Sequence, residues 1–199
     1  MASNYGNKQK HESNNPIQRA LIHRFKSQAI TLVNQVRPES ILEVGCGEGY
    51  MLDTLSKAGV TASLTGVDFS GPAIDDARQR LGTRAVLEQR DARELAADGR
   101  VFDLVMMLEV LEHIPEPEQM LPILEQLTSR YLLLSVPWEP MFRGLNFMRG
   151  KHIGAWGNDP EHINHWGRRG FKRFVEQRFR ILAAPYVAPW TMLLAERTN

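Results

Sequence analysis

Residues 108–114 read LEVLEHI, and they carry side chains that bind metals and move protons. Glu109, Glu112 and His113 stand at i, i+3 and i+4, a spacing that puts all three on one face if the segment forms a helical turn. Two carboxylates and an imidazole on one face can bind a divalent cation. The imidazole can instead act as a general base. A further donor is available downstream, where Glu161-His162-Ile163-Asn164-His165-Trp166 holds two histidines. Residues 41–49, ILEVGCGEG, offer a different chemistry. An apolar run leads into three glycines, Gly45, Gly47 and Gly49, and a helix-compatible run follows from Tyr50. Glycine permits positive φ and lets a ligand lie against bare backbone. The helix beyond adds unpaired N–H groups at its N-terminus. The glycines fall one residue short of the Gly-x-Gly-x-x-Gly spacing of a dinucleotide site. Glu43, two residues before the first glycine, suits a cationic amino group better than a pyrophosphate.

These residues need a scaffold, and the hydrophobic pattern predicts one. Ile22, Phe25, Ala29, Leu32, Val33 and Val36 recur at helical spacing over residues 16–36. Asn15 before Pro16 reads as a cap with proline in the first turn, and Arg37-Pro38 ends the helix. Strands are expected at Ser40–Val44, Ser63–Val67, Ala85–Gln89, Phe102–Met107 and Tyr131–Val136. Helices are expected from Tyr50 to Ala58, from Gly71 to Leu81 and from Pro117 to Thr128. A helix at Gly170–Gln177 and strands at Phe179–Ala184 and Thr191–Glu196 complete the alternation. That alternation indicates an α/β fold, a mainly parallel sheet covered on both faces. Residues 138–167 break it; an insertion of ~30 residues there reads as a lid or binding loop. Residues 1–14 are polar and expected to be disordered, leaving 15–199 as one domain.

Glu43-Val44-Gly45-Cys46-Gly47 resembles motif I of the class I S-adenosylmethionine (SAM) dependent methyltransferases. Leu64-Thr65-Gly66-Val67-Asp68, Arg90-Asp91-Ala92 and Met107-Leu108-Glu109 follow in the order that family shows. The resemblance covers residues 40–137 closely and the rest more loosely. It implies a Rossmann-like, doubly wound, seven-stranded sheet of order 3-2-1-4-5-7-6 with helices on both faces. It places SAM against Glu43, Gly45, Cys46 and Gly47. Asp68 would accept from the ribose hydroxyls, as carboxylates do in other nucleotide-binding α/β folds, and Phe69 would pack on adenine. Asp91 would accept from the adenine amino group, beside Ala92, and Leu108 would complete the pocket. Cys46 reads as a small loop residue, not a catalytic thiol.

The implied reaction is methyl transfer from a sulfonium to a nucleophile. The Glu-x-x-Glu-His pattern with a distant histidine resembles two metal-assisted groups: ubiquinone-pathway O-methyltransferases and small-RNA 2′-O-methyltransferases. By position relative to Trp166, His162 matches the distal ligand, giving a metal set of Glu109, Glu112, His113 and His162. Family members that use no metal also carry Glu-His here. In them Glu109 would contact the cofactor, His113 would act as base and His162 would be a hydrogen-bonded lid residue. His113, Glu109 and His162 are the catalytic candidates on either reading.

Composition narrows the class. Apolar residues make up 43%, enough for a core. No apolar run approaches the ~20 residues of a membrane span, and the N-terminus lacks a signal-peptide apolar region. Cys46 is the single cysteine, so no internal disulfide can form and the cytoplasm is the expected compartment. The net charge of +1 is uneven, with nine Lys/Arg against four Asp/Glu over residues 139–180. The region reads either as a face for an anionic substrate or membrane surface or as a solvated surface. Arg143, Arg149 and Lys151 among Phe142, Phe147 and Trp156 suit a small amphipathic or lipid-linked acceptor. RNA is the alternative acceptor, and a SAM-binding protein without catalysis is the alternative from another class.

Overall fold

The computed structural model describes residues 14–138 and 163–198. Helix α1, Pro16–Val36, opens with Asn15 accepting from the Ile17 and Gln18 N–H groups at 2.9 and 3.3 Å. It ends where Arg37 turns left-handed at φ 45°. Then follow β1 (Ser40–Val44), α2 (Tyr50–Lys57), β2 (Ser63–Asp68), α3 (Gly71–Leu81), β3 (Val86–Gln89), α4 (Ala92–Ala97) and β4 (Phe102–Leu108). The second half holds α5 (Pro117–Leu127), β5 (Thr128–Pro137), α6 (Arg168–Val175), β6 (Phe179–Ala183), β7 (Tyr186–Val187) and β8 (Trp190–Arg197). Strand order is β3-β2-β1-β4-β5-β8-β6, with β7 beside β8. The expected order therefore holds once the short β7 is counted. Strands β1 to β5 are parallel neighbours, and β8 runs antiparallel between β5 and β6.

The strands are apolar on both faces because helices cover both. Ile41, Leu104, Met106 and Leu133 face α1, α2 and α3, where Phe25, Leu32, Leu52, Leu55 and Ile74 close the layer. Their strand neighbours Leu42, Val105, Met107, Leu132 and Leu134 face α4, α5 and α6, packing with Leu95, Leu121, Leu124 and Phe171. Each such fully buried leucine contributes on the order of 1.5–3 kcal/mol relative to an exposed one. The register pairs Glu43 with Gly66 and Met106, Asp68 with Gln89, and Leu108 with Ser135. The loops that follow β1, β2, β3 and β4 therefore leave the sheet at one edge.

Two local expectations need correction. Helix α4 and strand β7 add to the predicted elements. The helical turn expected over residues 109–113 is absent. The chain leaves β4 at Leu108, Glu109 takes φ 61°, and only Leu111–His113 form a short 3-10 turn. The i, i+3, i+4 face assumed for Glu109, Glu112 and His113 therefore does not form. Most of the predicted tail at 1–14 and most of the predicted 138–167 insertion lie outside the described residues.

Candidate functional site

The loop after β1 turns on three positive-φ glycines: Gly45 at 72°, Gly47 at 50° and Gly49 at 74°. Gly45 and Cys46 both donate their N–H groups to the Val67 carbonyl, at 2.8 and 3.0 Å, which ties the loop to the end of β2. A Cβ on Gly45 would stand 2.6 Å from Val110 Cγ2, and one on Gly49 would stand 2.8 Å from Leu81 Cδ1. Glycine is thus required there both for backbone conformation and for space. Asp68 closes the arrangement: Oδ2 accepts from Gly47 N–H and Oδ1 from Ser70 N–H, each at 2.9 Å. Each carboxylate oxygen can accept a second bond, so Asp68 can grip the loop and a ribose together. Phe69 beside it is 83% exposed, a large apolar ring at the surface.

Glu43 lies beneath this loop. It is buried, and its Oε2 has no hydrogen-bond partner. Burial, and then the Asp68 carboxylate, push its pKa up to about 8, against smaller lowering by the Leu52 backbone N–H and Lys26. An unsatisfied buried carboxyl oxygen is costly, and a cationic amino group would satisfy it. Burial followed by Arg80 lowers the Lys26 pKa. Arg80 stacks 3.7 Å over the Tyr50 ring, beside the same loop, and bonds the Glu48 carbonyl. Burial and then Glu43 raise the Cys46 thiol, which keeps it protonated and out of nucleophilic chemistry.

Asp91 is the N-cap of α4. Its Oδ1 accepts from Arg93 N–H at 2.8 Å and its Oδ2 pairs with the Arg93 guanidinium at 3.0 Å. Its carboxylate is exposed, and Ala92 is buried as the first helical residue. The Ala92 N–H belongs to a first turn that has no carbonyl partner within the helix. Leu108 ends β4, nearly buried.

Glu109 follows in the left-handed conformation, which costs a non-glycine residue on the order of 1–2 kcal/mol. Hydrogen bonds hold it there. Its N–H donates to the Ser135 carbonyl at 3.1 Å, and its Oε1 accepts from Ser135 Oγ at 3.1 Å. Its Oε2 accepts from the Trp190 indole N–H. Trp190 is itself packed against Phe25, with ring centroids 4.9 Å apart. Strain of this kind gathers at functional positions. Neither Ser135 nor Trp190 stands out in the sequence; they lie 26 and 81 residues away, and no local spacing points to them.

Glu112 is buried, whereas His113 is exposed. The Glu112 carbonyl accepts from Ile163 and Asn164 N–H at 2.9 and 3.1 Å, which ties the start of the second described segment to this turn. Trp166 packs on Phe174 and Phe171, at 4.8 and 5.6 Å. His162 lies outside the described residues. Among the described residues no three His, Cys, Asp or Glu side chains gather as a metal site. Glu109 bonds Ser135 and Trp190, and the expected set of Glu109, Glu112, His113 and His162 extends beyond the described residues, so no step is routed through an ion. No helix among the described residues is long and apolar enough to cross a membrane.

Comparison with known proteins gives a consistent picture. A family model described as a methyltransferase domain matches residues 17–178. A ubiquinone biosynthesis O-methyltransferase from Coxiella burnetii (strain RSA 493) is 34% identical over 171 residues, covering 77% of this chain and 70% of that protein. The protein of the same name from Methylococcus capsulatus is 27% identical over 168 residues, covering 75% and 69%. Among solved structures, the magnesium protoporphyrin IX methyltransferase of Synechocystis PCC 6803, with bound SAH, superposes with a TM-score of 0.74. It is 20% identical and covers 96% of this chain and 92% of its own. That identity speaks to the fold alone.

Proposed function

The chain belongs to the class I SAM-dependent methyltransferases, and from that premise we propose that it methylates an oxygen of a small or lipid-linked acceptor. The observation that carries the reading is the division of labour along one sheet edge. Groups suited to the cofactor sit at β1 to β3, and Glu109 and His113 follow β4, beside β5 and β8. The 34% identical O-methyltransferase favours oxygen as the acceptor atom.

Bound SAM would supply the methyl group from its sulfonium and leave as the thioether. Glu43 would hold the amino group, Asp68 the ribose, and Phe69 one face of adenine. Asp91 and the Ala92 N–H would border the adenine edge, and Cys46 and Leu108 would wall the pocket. His113 would take the acceptor hydroxyl proton as oxygen attacks the methyl carbon, and Glu109 would orient the acceptor. His113→Gln should therefore lower kcat by about 100-fold while SAM affinity stays within twofold of wild type. A kcat within threefold of wild type would remove His113 from that role.

Glu43 makes the cofactor reading testable through pH. Its raised pKa means the neutral carboxyl favours folding fully below about pH 4.5, and that contribution fades as pH rises through about 8. A cationic amino group at Oε2 would reverse the balance and lower the pKa. SAM binding at pH 7 should then release roughly one proton, and affinity should rise with pH towards 8. Calorimetry in buffers of different ionisation enthalpy reads that proton directly. Buffer-independent enthalpies would place the amino group elsewhere.

The direct test of the function uses methyl-labelled SAM and a cell extract fractionated into small molecules, lipids and RNA. Label in a hydroxylated small-molecule or lipid fraction is the expected result. Label confined to RNA would overturn the acceptor assignment. SAM binding with no label in any fraction would favour a non-catalytic binding role.

A further inference from the structure

Tyr186 and two arginines form a cluster that methyl transfer as derived above does not use. Tyr186 pairs with Thr191, so β7 lies at the same edge of the sheet where β5 ends at Pro137 opposite Trp190. The tyrosine is 53% exposed. Arg168, which starts α6, holds its guanidinium carbon 4.9 Å from the ring centroid. Arg24, from α1, stands 5.8 Å from the same centroid and donates to the Tyr186 carbonyl at 2.9 Å. Two cations on one ring repel each other unless an anion joins them.

Other cations of the second half of the chain have acidic partners. Lys172 pairs with Glu176, and Arg178 with Glu125. No ion pair among the described residues uses Arg24 or Arg168. A guanidinium carries five N–H donors in a planar fork that matches an oxyanion. Arg24 uses one of its donors on the Tyr186 carbonyl. The remaining donors, with the tyrosine hydroxyl, make a set suited to carboxylate or phosphate.

Position says which molecule would bring that group. Arg24 precedes Phe25, which packs on Trp190, and Trp190 bonds Glu109. The cluster therefore flanks the β4–β5 side of the site, whereas Asp68 ends β2 and Phe69 follows it, on the far side of β1. We propose that Arg24, Arg168 and Tyr186 form an oxyanion subsite that takes a carboxylate or phosphate of the methyl acceptor. The assignment to the acceptor rests on the methyl-transfer reading; anion binding itself does not.

The test follows the guanidinium Nε–Hε resonances of Arg24 and Arg168 while benzoate, phenyl phosphate or neutral benzamide is titrated into the full chain. Both anions should shift both arginines, and benzamide should shift neither. Arg168→Gln, whose side chain makes no hydrogen bond within the described residues, should weaken benzoate binding about tenfold without lowering the melting temperature. No shift with either anion, equal shifts with benzamide, or unchanged benzoate affinity in R168Q would each overturn the subsite. SAM affinity, measured on the same sample, reports separately on the methyltransferase site. Loss of anion binding with SAM binding intact condemns the subsite alone.

Discussion

Asp68→Ala should weaken SAM binding by roughly 100-fold or more, equivalent to about 3 kcal/mol. The carboxylate serves two backbone N–H groups, those of Gly47 and Ser70. Removing it leaves both without an acceptor, at about 1–3 kcal/mol for each one that is buried. The Gly47 loss falls inside the loop proposed to lie against the ligand, and the proposed ribose contact disappears as well. Asp68→Asn keeps one acceptor oxygen but aims an amide at a backbone donor, so it should fall between the two. Calorimetry with SAM measures the affinity, and a thermal melt of the ligand-free protein separates loop damage from lost contact. Alanine binding within threefold of wild type would take the ribose role away from Asp68.

Gly45→Val should be the most destabilising single change in the loop, costing about 3–5 kcal/mol from left-handed strain plus overpacking. The strain arises because Gly45 holds φ 72°, where a β-branched residue is an outlier. The overpacking arises because the new Cβ would stand 2.6 Å from Val110 Cγ2. Gly59→Ala is the matched control. Its φ is +78°, but nothing lies within 4 Å of the added carbon, so only the conformational cost of about 1–2 kcal/mol applies. Denaturant unfolding of both variants gives the two costs. Equal losses would mean that Val110 yields without penalty.

Much of this scaffold is legible before any coordinates are seen. Strand β1 reads to the residue because Ile41, Leu42 and Val44 are all buried and the glycine turn marks its end. Helix α1 reads equally well, since Asn15 and Pro16 mark its start and Arg37-Pro38 its stop. Helix α4 does not, because six residues with two buried positions carry too little periodicity. Asp91 shows a second reason: one aspartate can be a cap and a ligand contact, and its sequence context does not divide the roles. The segment after β4 misleads for a different cause. Glu109 has helical spacing to Glu112 and His113, but hydrogen bonds to Ser135 and Trp190 hold it outside any helix. Tertiary bonds of that range leave no trace in local spacing. The paired arginines at Tyr186 are hidden the same way, since 162 residues separate Arg24 from the carbonyl it bonds.

The placement of β8 bears on how the molecule is made. β8 lies between β5 and β6, although β6 precedes it in the chain. During synthesis β6 therefore leaves the ribosome with no neighbouring strand, and β5 keeps an open edge until residues 190–197 arrive. Unpaired edges of this kind invite association with other chains. The same late insertion brings the Trp190 indole to Glu109, so the proposed acceptor side matures after the proposed cofactor loop, whose partners Gly47 and Asp68 are translated early. A nascent chain halted before residue 190 would carry the glycine loop proposed for SAM without the Trp190–Glu109 bond of the proposed acceptor side.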